Sequence, residues 1–434
     1  MDRVAVMTLR PLAFAALALA ACDDGSTAEG PFQPIGQLDG GAADAGTGGT
    51  DQGTAVLPLR LRLVPIEQDS GALRITDIAF APDGDPRFLV TDKDGEVILM
   101  TLEVGGRARR LGGFQVPGTW IDSDAGLIAA AFDPDFAENS FFYVGLSTSQ
   151  ETNVIRRYTL DADDFARSAA TEVEIISITG PRSPRSWHNV GSIGFTDEGY
   201  LWALFGDKVL DEPALDVQSP LGSLIRVIPD RRPFPTEGGY TVPEDNPYAD
   251  GSGHPAVYAK GFRSPWKGHY VDGHWFTSDV GLDTYEEINL IDRPGLSFGW
   301  PAVEGPCEGA ACMGYSPPWV SWGRSGSHPF VREDPEATAS RLRSAWVGWQ
   351  YRPNDLDPYG GRWDEVVTFG DAFVGYIRAR RADGQGESWH VAHHPFVTGW
   401  SQGPDGFVYV TALGTWPVDA PIAPSPIMRA VLAD

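Results

Sequence analysis

Two cysteines in the body of the chain lie close enough in sequence to react with each other. Cys307 and Cys312 stand in the stretch EGPCEGAACMG, where a bridge would close a short loop rich in glycine and alanine. A metal site would need further cysteine or histidine ligands at a suitable spacing, and this stretch has none. The pair His393–His394 is a poor chelator, because adjacent residues on a strand point to opposite faces. The pattern favours a disulfide, provided that the chain is exported to an oxidising compartment.

The third cysteine, Cys22, follows a segment that is typical of an export signal. Arg3 and Arg10 precede the apolar run PLAFAALALAA. This run is shorter than the roughly 20 residues that span a bilayer, but it has the length of a signal-peptide core. It ends in Leu-Ala-Ala-Cys, which looks like a bacterial lipobox. We therefore predict a lipoprotein signal over residues 1–21 and lipidation of Cys22; the alternative is a plain signal peptide with an incidental cysteine.

Residues 22–56 form a predicted tether between this anchor and a folded domain. They are rich in glycine, alanine and aspartate and contain no lysine or arginine. Such a segment cannot bury enough apolar surface to order itself. We assign the folded domain to residues 57–434. The mature protein is expected on the periplasmic side of a bacterial membrane or at the cell surface, in contact with the membrane only through its lipid.

The composition of the chain narrows the fold class and the partners. A formal net charge of -26 repels phosphate groups, which excludes nucleic acid as a partner. The 51 glycines and 35 prolines oppose a helical bundle, because both residues are costly inside helices. The 14 tryptophans, together with many other aromatic residues, instead favour short strands separated by turns. We therefore predict an all-β domain.

One local unit recurs along the domain: an apolar strand, a turn built on Pro-Asp-Gly or a variant of it, and an aromatic strand with alternating polarity. Proline fixes φ in such a turn, aspartate bonds its own backbone, and glycine supplies a positive φ. The units begin at Asp77, Ala129, Ser192, Gly268 and Ser401. Their spacing suits one four-stranded blade with a long loop. The repeat predicts a six-bladed β-propeller of four-stranded antiparallel blades, in preference to two stacked sandwiches.

Four stretches of the domain together resemble the soluble quinoprotein glucose/sorbosone dehydrogenases. They are GLIAAAFDPDFAEN from Gly126, HNVGS from His188, YAKGFRSPW from Tyr258, and SDVGLDTYEEINL from Ser278, which is followed by FGWPAVEG. The last stretch is the most specific. The resemblance implies a six-bladed propeller that binds pyrroloquinoline quinone (PQQ) and calcium. It also implies oxidation of an aldose at its C1 hydroxyl to a lactone, with hydride transfer to the calcium-bound quinone and electrons passed to an external acceptor.

The same resemblance assigns roles to individual residues. It implies that His188 is the catalytic base, that Asp207 orients it and that Arg263 approaches the cofactor. A neutral imidazole suits a base at neutral pH. Taken without the motif, His188 is better explained as a structural histidine in a loop, and Asp207 fits a turn residue at a strand end equally well. The implied cofactor-binding residues are Asn189, Arg263, Ser264 and Asp124.

Metal ligands are implied at two places. Gly281 and Leu282 would offer backbone carbonyl groups to the calcium ion that holds the cofactor, since calcium prefers oxygen ligands. Glu286 and Glu287 resemble carboxylates at a structural calcium site of the family. A solvated acidic turn is the alternative for this glutamate pair.

The chain departs from the family pattern where cationic residues are expected. In the family, a lysine that contacts the cofactor is expected near Phe373, and two arginines that hold its carboxylates are expected near Phe396 and Thr398. None of these three positions carries a charged residue in this chain. PQQ has three carboxylates, so these changes remove several charge-assisted hydrogen bonds. The nearest alternative cations are Arg378, Arg380 and Arg381.

Two functions follow from these observations. The first is a PQQ-dependent sugar dehydrogenase with a small-molecule sugar substrate. The second is a propeller that has kept the fold, has lost the quinone and binds a glycan or a protein without catalysis. Fold alone does not separate them. The feature that separates the two functions is the set of cationic residues around the presumed cofactor site.

Overall fold

The protein is described here by a computed structural model, which covers residues 58–82, 84–233, 235, 239–325, 328–337, 343–414 and 423–433. The predicted signal peptide, the tether and Cys22 lie outside these described residues. Within them, no helix is long and apolar enough to cross a membrane.

Almost all regular structure in the described residues is β-strand, as the composition predicts. The strands in chain order are β1 Leu61–Pro65, β2 Ile75–Phe80, β3 Arg87–Asp92, β4 Glu96–Leu102, β5 Ala108–Gln115, β6 Leu127–Phe132, β7 Phe141–Ser147, β8 Thr152–Thr159, β9 Val173–Thr179, β10 Val190–Phe195, β11 Leu201–Phe205, β12 Ser223–Pro229, β13 Tyr240–Thr241, β14 Val257–Lys260, β15 Gly268–Val271, β16 His274–Asp279, β17 Tyr285–Ile291, β18 Val320–Gly323, β19 Ala345–Gln350, β20 Val366–Asp371, β21 Tyr376–Arg381, β22 Trp389–His393, β23 Val397–Gln402, β24 Val408–Ala412 and β25 Ile427–Leu432. The helices are short: α1 Phe136–Asn139, α2 Phe165–Ala169, α3 Pro329–Glu333, and single 3-10 turns at Glu212–Ala214 and Ala310–Cys312.

The strands form six antiparallel sheets, which are the blades of a propeller. Blade 1 is β2 to β5, blade 2 is β6 to β9, blade 4 is β15 to β18 and blade 5 is β19 to β22. In blade 3, β10, β11, β12 and β14 pair in that order, and the two-residue strand β13 pairs with the far end of β12. The predicted six-bladed β-propeller is therefore confirmed.

Blade 6 closes the ring by joining the two ends of the domain. Its order is β23, β24, β25 and then β1, so the first strand of the domain is the outermost strand of the last blade. The pairing runs from Leu61 opposite Leu432 to Pro65 opposite Met428. The innermost strands β2, β6, β10, β15, β19 and β23 each contact the next one around the ring. Closure of the ring leaves no blade face without a neighbour.

Apolar residues fill the spaces between neighbouring blades. Several of the aromatic side chains that marked the sequence are fully buried there, namely Trp275, Trp322, Trp346 and Trp363. The Pro-Asp-Gly type turns also adopt the conformation expected of them, since φ is +77° at Gly199 and +82° at Gly406. Blade packing and blade turns thus account for much of the unusual composition.

A buried lysine divides the central channel into two cavities. One cavity is lined by residues at the starts of innermost strands, among them Thr76, Val190 and Thr398. The other, of about 610 Å³, is lined by the later residues of all six innermost strands. Between them the Nζ atom of Lys267 donates to the carbonyl oxygen of Thr76 at 2.9 Å and lies 3.3 Å from Asp77 Oδ1. The two cavities therefore lie at opposite ends of the channel.

Candidate active site

His188 lies at the end of the channel where the innermost strands begin, two residues before β10. Its backbone has a φ of +58°, which is uncommon for a residue with a side chain. Its backbone N–H donates to Asp124 Oδ2 at 2.8 Å. A Cβ atom at Gly206 would lie 2.5 Å from the carbonyl oxygen of His188, so only glycine fits beside it. These contacts fix the backbone of His188 and the direction of its side chain.

A chain of hydrogen bonds orients the His188 ring. Nδ1 of His188 lies 2.6 Å from Asp207 Oδ1, and both side chains are buried. The indole N–H of Trp300 donates to the other carboxylate oxygen, Oδ2, at 2.8 Å. Burial alone would raise the pKa of Asp207, but His188 and the nearby charge of Arg263 outweigh it and lower the pKa below its ordinary value. Asp207 is therefore ionised and accepts the Nδ1–H proton.

The other ring nitrogen of His188 is left without a partner. Nε2 is buried and makes no hydrogen bond with any described residue. Because the ionised Asp207 holds the proton on Nδ1, the lone pair of a neutral imidazole sits on Nε2. This nitrogen can therefore accept a proton from a bound molecule.

Arg263 lies next to this hydrogen-bonded chain. Its guanidinium group is 5.4 Å from the ring centre of Trp300, and only 2% of the residue is exposed. It donates to the carbonyl oxygens of Val280 at 3.0 Å and Gly281 at 2.9 Å. Its own backbone N–H donates to Asp279 Oδ2 at 2.9 Å. The fold thus brings together the three residues that the sequence assigned to catalysis.

Three of the four residues assigned to cofactor binding line a small cavity beside His188. Asp124, Asn189 and Ser264 contribute to its wall, and its volume is about 50 Å³. Asn189 Nδ2 donates to Asp124 Oδ1 at 2.7 Å. Burial raises the pKa of Asp124, while its hydrogen bond from the His188 backbone and the nearby charges of Lys208 and Lys93 oppose that shift. Thr398 also lines this cavity and brings no charge to it.

Gly281 does not offer a free carbonyl group to a calcium ion. Its oxygen accepts one N–H from Arg263 at 2.9 Å and another from Arg324 at 2.8 Å. A carbonyl oxygen has two lone pairs, and both are engaged here by cations that would also repel a metal ion. The next residues, from Leu282 to Tyr285, wrap around Glu304, whose Oε1 accepts four backbone N–H groups at 2.9 to 3.1 Å. The engaged oxygen of Gly281 does not fit the calcium ion expected at Gly281 and Leu282.

The glutamate pair of the expected structural calcium site lies inside blade 4. Glu286 pairs with Arg324 and accepts the backbone N–H of Ala345 at 2.7 Å. Burial raises its pKa to about 8. Burial, and then the charge of Asp279, raises the pKa of Glu287 well above its ordinary value. Among the described residues, no three carboxylate, histidine or cysteine groups are arranged to hold a metal ion.

Comparison with known proteins identifies the family. The sequence model of the family described as "Glucose / Sorbosone dehydrogenase" matches residues 74–320, which is more than half of the chain. The chain belongs to the glucose/sorbosone dehydrogenase family. The motifs quoted from the sequence all begin within the matched residues.

Individual relatives of this glucose/sorbosone dehydrogenase family member are distant. "HIPL1 protein" of Arabidopsis thaliana is 29% identical over 239 residues, which are 43% of this chain and 34% of that protein. "Quinoprotein glucose dehydrogenase B" of Acinetobacter calcoaceticus is 26% identical over 224 residues, which are 44% of this chain and 43% of that protein. The chain thus spans about a third of the first relative and less than half of the second.

Solved structures agree on the fold. The PQQ-bound aldose sugar dehydrogenase of Streptomyces coelicolor has a TM-score of 0.65 and 20% identity, covering 87% of this chain and 99% of that chain. The apo-form aldose sugar dehydrogenase of Escherichia coli has a TM-score of 0.64 and 17% identity, covering 86% and 100%. At these identities the likeness supports the propeller architecture only.

Several residues of the site in this family member were not singled out from the sequence. Trp300 and Glu304 stand in FGWPAVEG, which was read only as part of the family motif. Lys93 and Lys208 each follow an aspartate near the end of a strand, and the rarity of lysine in the chain was the available signal. Outside the site, Cys307 and Cys312 form a disulfide with a Cα–Cα distance of 5.7 Å.

Proposed function

We propose that the protein is a quinone-dependent sugar dehydrogenase in which His188 is the catalytic base. The observation that carries the proposal is the unpartnered, buried Nε2 atom of His188 at the end of the hydrogen-bonded chain from Trp300 through Asp207. A buried polar atom without a partner is costly, and sites that keep one usually use it. Membership of the glucose/sorbosone dehydrogenase family supports the same assignment.

The residues of the chain account for the proton transfer. Nε2 of His188 takes the proton of the C1 hydroxyl group, so that the C1 oxygen can form the carbonyl group of a lactone as hydrogen leaves C1 with its electron pair. Asp207 stabilises the imidazolium ion that results. Trp300 holds the second oxygen of Asp207 and keeps its first oxygen on Nδ1. Burial of the group excludes water and strengthens each of these interactions.

An anionic cofactor such as PQQ would meet two suitable groups beside His188. Ser264 lines the cavity and can bond a carboxylate or carbonyl oxygen, and Arg263 adds a positive charge next to it. Both amide hydrogens of Asn189 are already bonded to Asp124 and to the carbonyl oxygen of Ser186. When bound there, PQQ would supply the acceptor for the hydride from C1. We assign no step to calcium, because one of the two carbonyl groups expected to bind it, that of Gly281, is engaged by two guanidinium groups.

The finer parts of the proposal concern the substrate, the cellular location and the electron acceptor. We infer an aldose as the substrate, in keeping with the aldose and glucose dehydrogenases named among its structural relatives. We also propose that the protein is exported, lipid-anchored through Cys22, and reoxidised by an external electron acceptor. These assignments rest on the sequence motifs.

The test is reconstitution of the full chain with PQQ, with and without calcium, followed by dye reduction with a panel of aldoses. We expect turnover in the wild type and its loss in His188→Gln. His274→Gln is the matched control, because His274 is the first residue of β16 in blade 4, where its Nδ1 atom is 3.2 Å from the Asp272 carbonyl oxygen. If the chain causes no shift in quinone absorbance and oxidises no sugar, the non-catalytic binding module replaces this proposal.

A further inference from the structure

The cavity at the end of the channel opposite His188 has no role in the proposed function. Its volume is about 610 Å³. Sites for small molecules usually have volumes of about 300–1,000 Å³. Lys267 closes the inner end of this cavity, as described above. The cavity therefore has a floor, and the exposed residues Asp197 and Asp272 mark its rim.

Each blade contributes one phenylalanine, tyrosine or tryptophan to the wall of this cavity, from the last three residues of its innermost strand. In blade order they are Phe80, Phe132, Phe195, Tyr270, Trp349 and Trp400. Phe132 and Trp400 are buried, whereas the other four are half-buried. Aromatic rings that serve only to pack the blades, such as Trp275 and Trp346, are fully buried. Part of each half-buried ring is therefore open to the cavity.

Neutral hydrogen-bonding groups accompany these rings in the cavity wall. They belong to Ser192, Thr196, Gln350, Ser401 and Gln402. The amide N–H of Gln402 donates to the Arg352 carbonyl oxygen at 2.9 Å, and its side-chain oxygen has no partner among the described residues. A pocket that combines aromatic rings with a few neutral polar groups suits a ligand that has both apolar faces and hydroxyl groups.

The charged side chains of the wall are nearly all paired. The ion pairs are Asp77 with Lys267, Asp133 with Arg231, and Asp272 with Arg352. Asp197, at the rim, accepts the hydroxyl group of Tyr270 at 3.2 Å. His269 also lines the cavity, and its ring is neutral because burial lowers its pKa to about 3. No cationic side chain of the described wall is left to bind an anion, so we expect a neutral ligand.

We propose that this cavity is a second, non-catalytic site that binds a neutral sugar. A sugar ring presents C–H groups on a face that can stack on an aromatic ring, and its hydroxyl groups can bond to serine, threonine and glutamine side chains. The wall offers both kinds of group and no unpaired cation. Because the floor at Lys267 separates this site from His188, the inference does not depend on the proposed function.

Binding of sugars to the full chain in the absence of PQQ tests the assignment. Glucose, maltose and cellobiose are titrated by isothermal calorimetry, with glucuronate as the charged counterpart. We expect at least one neutral sugar to bind with a Kd of about 0.1–10 mM, and to bind more tightly than glucuronate. Trp349→Leu removes a stacking face and Gln402→Leu removes hydrogen bonds. Each is expected to weaken binding of the neutral sugar by about three- to tenfold.

Two control variants locate the bound sugar. Gln218 is an exposed glutamine outside the cavity, and its amide also donates to a backbone carbonyl oxygen, that of Ser252, at 3.1 Å. Gln218→Leu should therefore leave the affinity unchanged. His188→Gln should also leave it unchanged, because His188 lies at the other end of the channel. Circular dichroism checks that each variant folds, and the half-buried Gln402 provides the test if Trp349→Leu does not fold.

The outcomes separate this inference from the proposed function. Absence of binding of all three neutral sugars overturns the inference, as does wild-type affinity in both cavity variants. Glucuronate binding as tight as that of the neutral sugars overturns it too. A sugar whose binding is lost in His188→Gln lies at the candidate active site, which also overturns it. A chain that binds a sugar through Trp349 but oxidises none supports the inference and overturns only the proposed function.

Discussion

Arg263 and Arg324 donate hydrogen bonds to the same carbonyl oxygen, that of Gly281, at 2.9 and 2.8 Å. Arg263 belongs to the loop before β15 and Arg324 follows β18, so the two arginines join both ends of blade 4 beside the site. The oxygen that the sequence motif offers to calcium is thereby held by two fixed positive charges. Metal dependence is the first property that this relationship predicts.

Removal of calcium is expected to change little in this protein. Treatment with a chelator should shift the midpoint of thermal unfolding by less than about 2 °C, because no metal bond at Gly281 is lost. The measurement is a thermal melt by circular dichroism in chelator and in millimolar calcium. A rise of many degrees on addition of calcium would show that Arg263 or Arg324 gives way to the ion.

The buried pair of Arg324 and Glu286 is expected to stabilise the folded protein. Arg324→Met removes the hydrogen-bonding partner of the buried Glu286 carboxyl group, whose pKa of about 8 keeps it largely protonated at neutral pH. Leaving such a buried polar group unsatisfied costs about 1–3 kcal/mol of unfolding free energy. The double variant Arg324→Met with Glu286→Gln should lose less above pH 8, because its amide cannot become a buried charge. Chemical denaturation of the three variants measures this difference. Equal losses in the single and double variants would contradict it.

Asp207→Asn is expected to reduce turnover without unfolding the protein. An amide in place of the carboxylate no longer holds the proton on Nδ1 of His188, so Nε2 loses the lone pair that accepts the substrate proton. We expect kcat to fall about 100- to 10,000-fold. Trp300→Phe keeps the carboxylate and removes one hydrogen bond, so its loss should be smaller, about tenfold. A rise in KM alone, with kcat unchanged, would argue against the role given to Asp207.

His269 is expected to make the protein sensitive to acid. It lies at the opposite end of the channel, where its ring packs 4.2 Å from the ring centre of Trp349. Burial lowers its pKa from 6.5 to about 3. Because the folded state favours the neutral ring, the stability that His269 provides is complete above pH 6.5 and is lost as the pH falls towards 3. The loss amounts to at most about 1.4 kcal/mol per pH unit.

The control for this prediction is His269→Phe, which keeps an aromatic ring against Trp349 but cannot be protonated. Its unfolding free energy should fall less steeply than that of the wild type between pH 6.5 and pH 4. Urea unfolding at several pH values measures both slopes. Parallel slopes would assign the acid sensitivity to other groups.

The sequence also carries a pattern whose meaning appears only in the structure. An aspartate stands at or just after the end of the second strand in four blades: Asp92, Asp207, Asp279 and Asp371. In three of these blades the aspartate caps a loop by accepting two backbone N–H groups. Asp279 accepts those of Arg263 and Ser264. Asp92 accepts those of Leu73 and Arg74, and Asp371 accepts those of Phe373 and Val374. In blade 3 the equivalent aspartate, Asp207, also accepts a backbone N–H, that of Val209 at 2.7 Å, but it additionally holds the side chains of His188 and Trp300.

The sequence by itself determined the all-β class, the six blades and the family motifs, because turn chemistry and strand alternation act over a few residues and repeat along the chain. The family resemblance pointed to Asp207 as the partner of His188, but the sequence could not show that Trp300 joins them, since Trp300 reaches Asp207 only when blades 3 and 4 pack side by side. Nor could it show that β1 closes the ring or that two arginines share the oxygen of Gly281. Each of these depends on contacts between residues far apart in the chain, and such contacts are set by packing around the ring and not by local sequence.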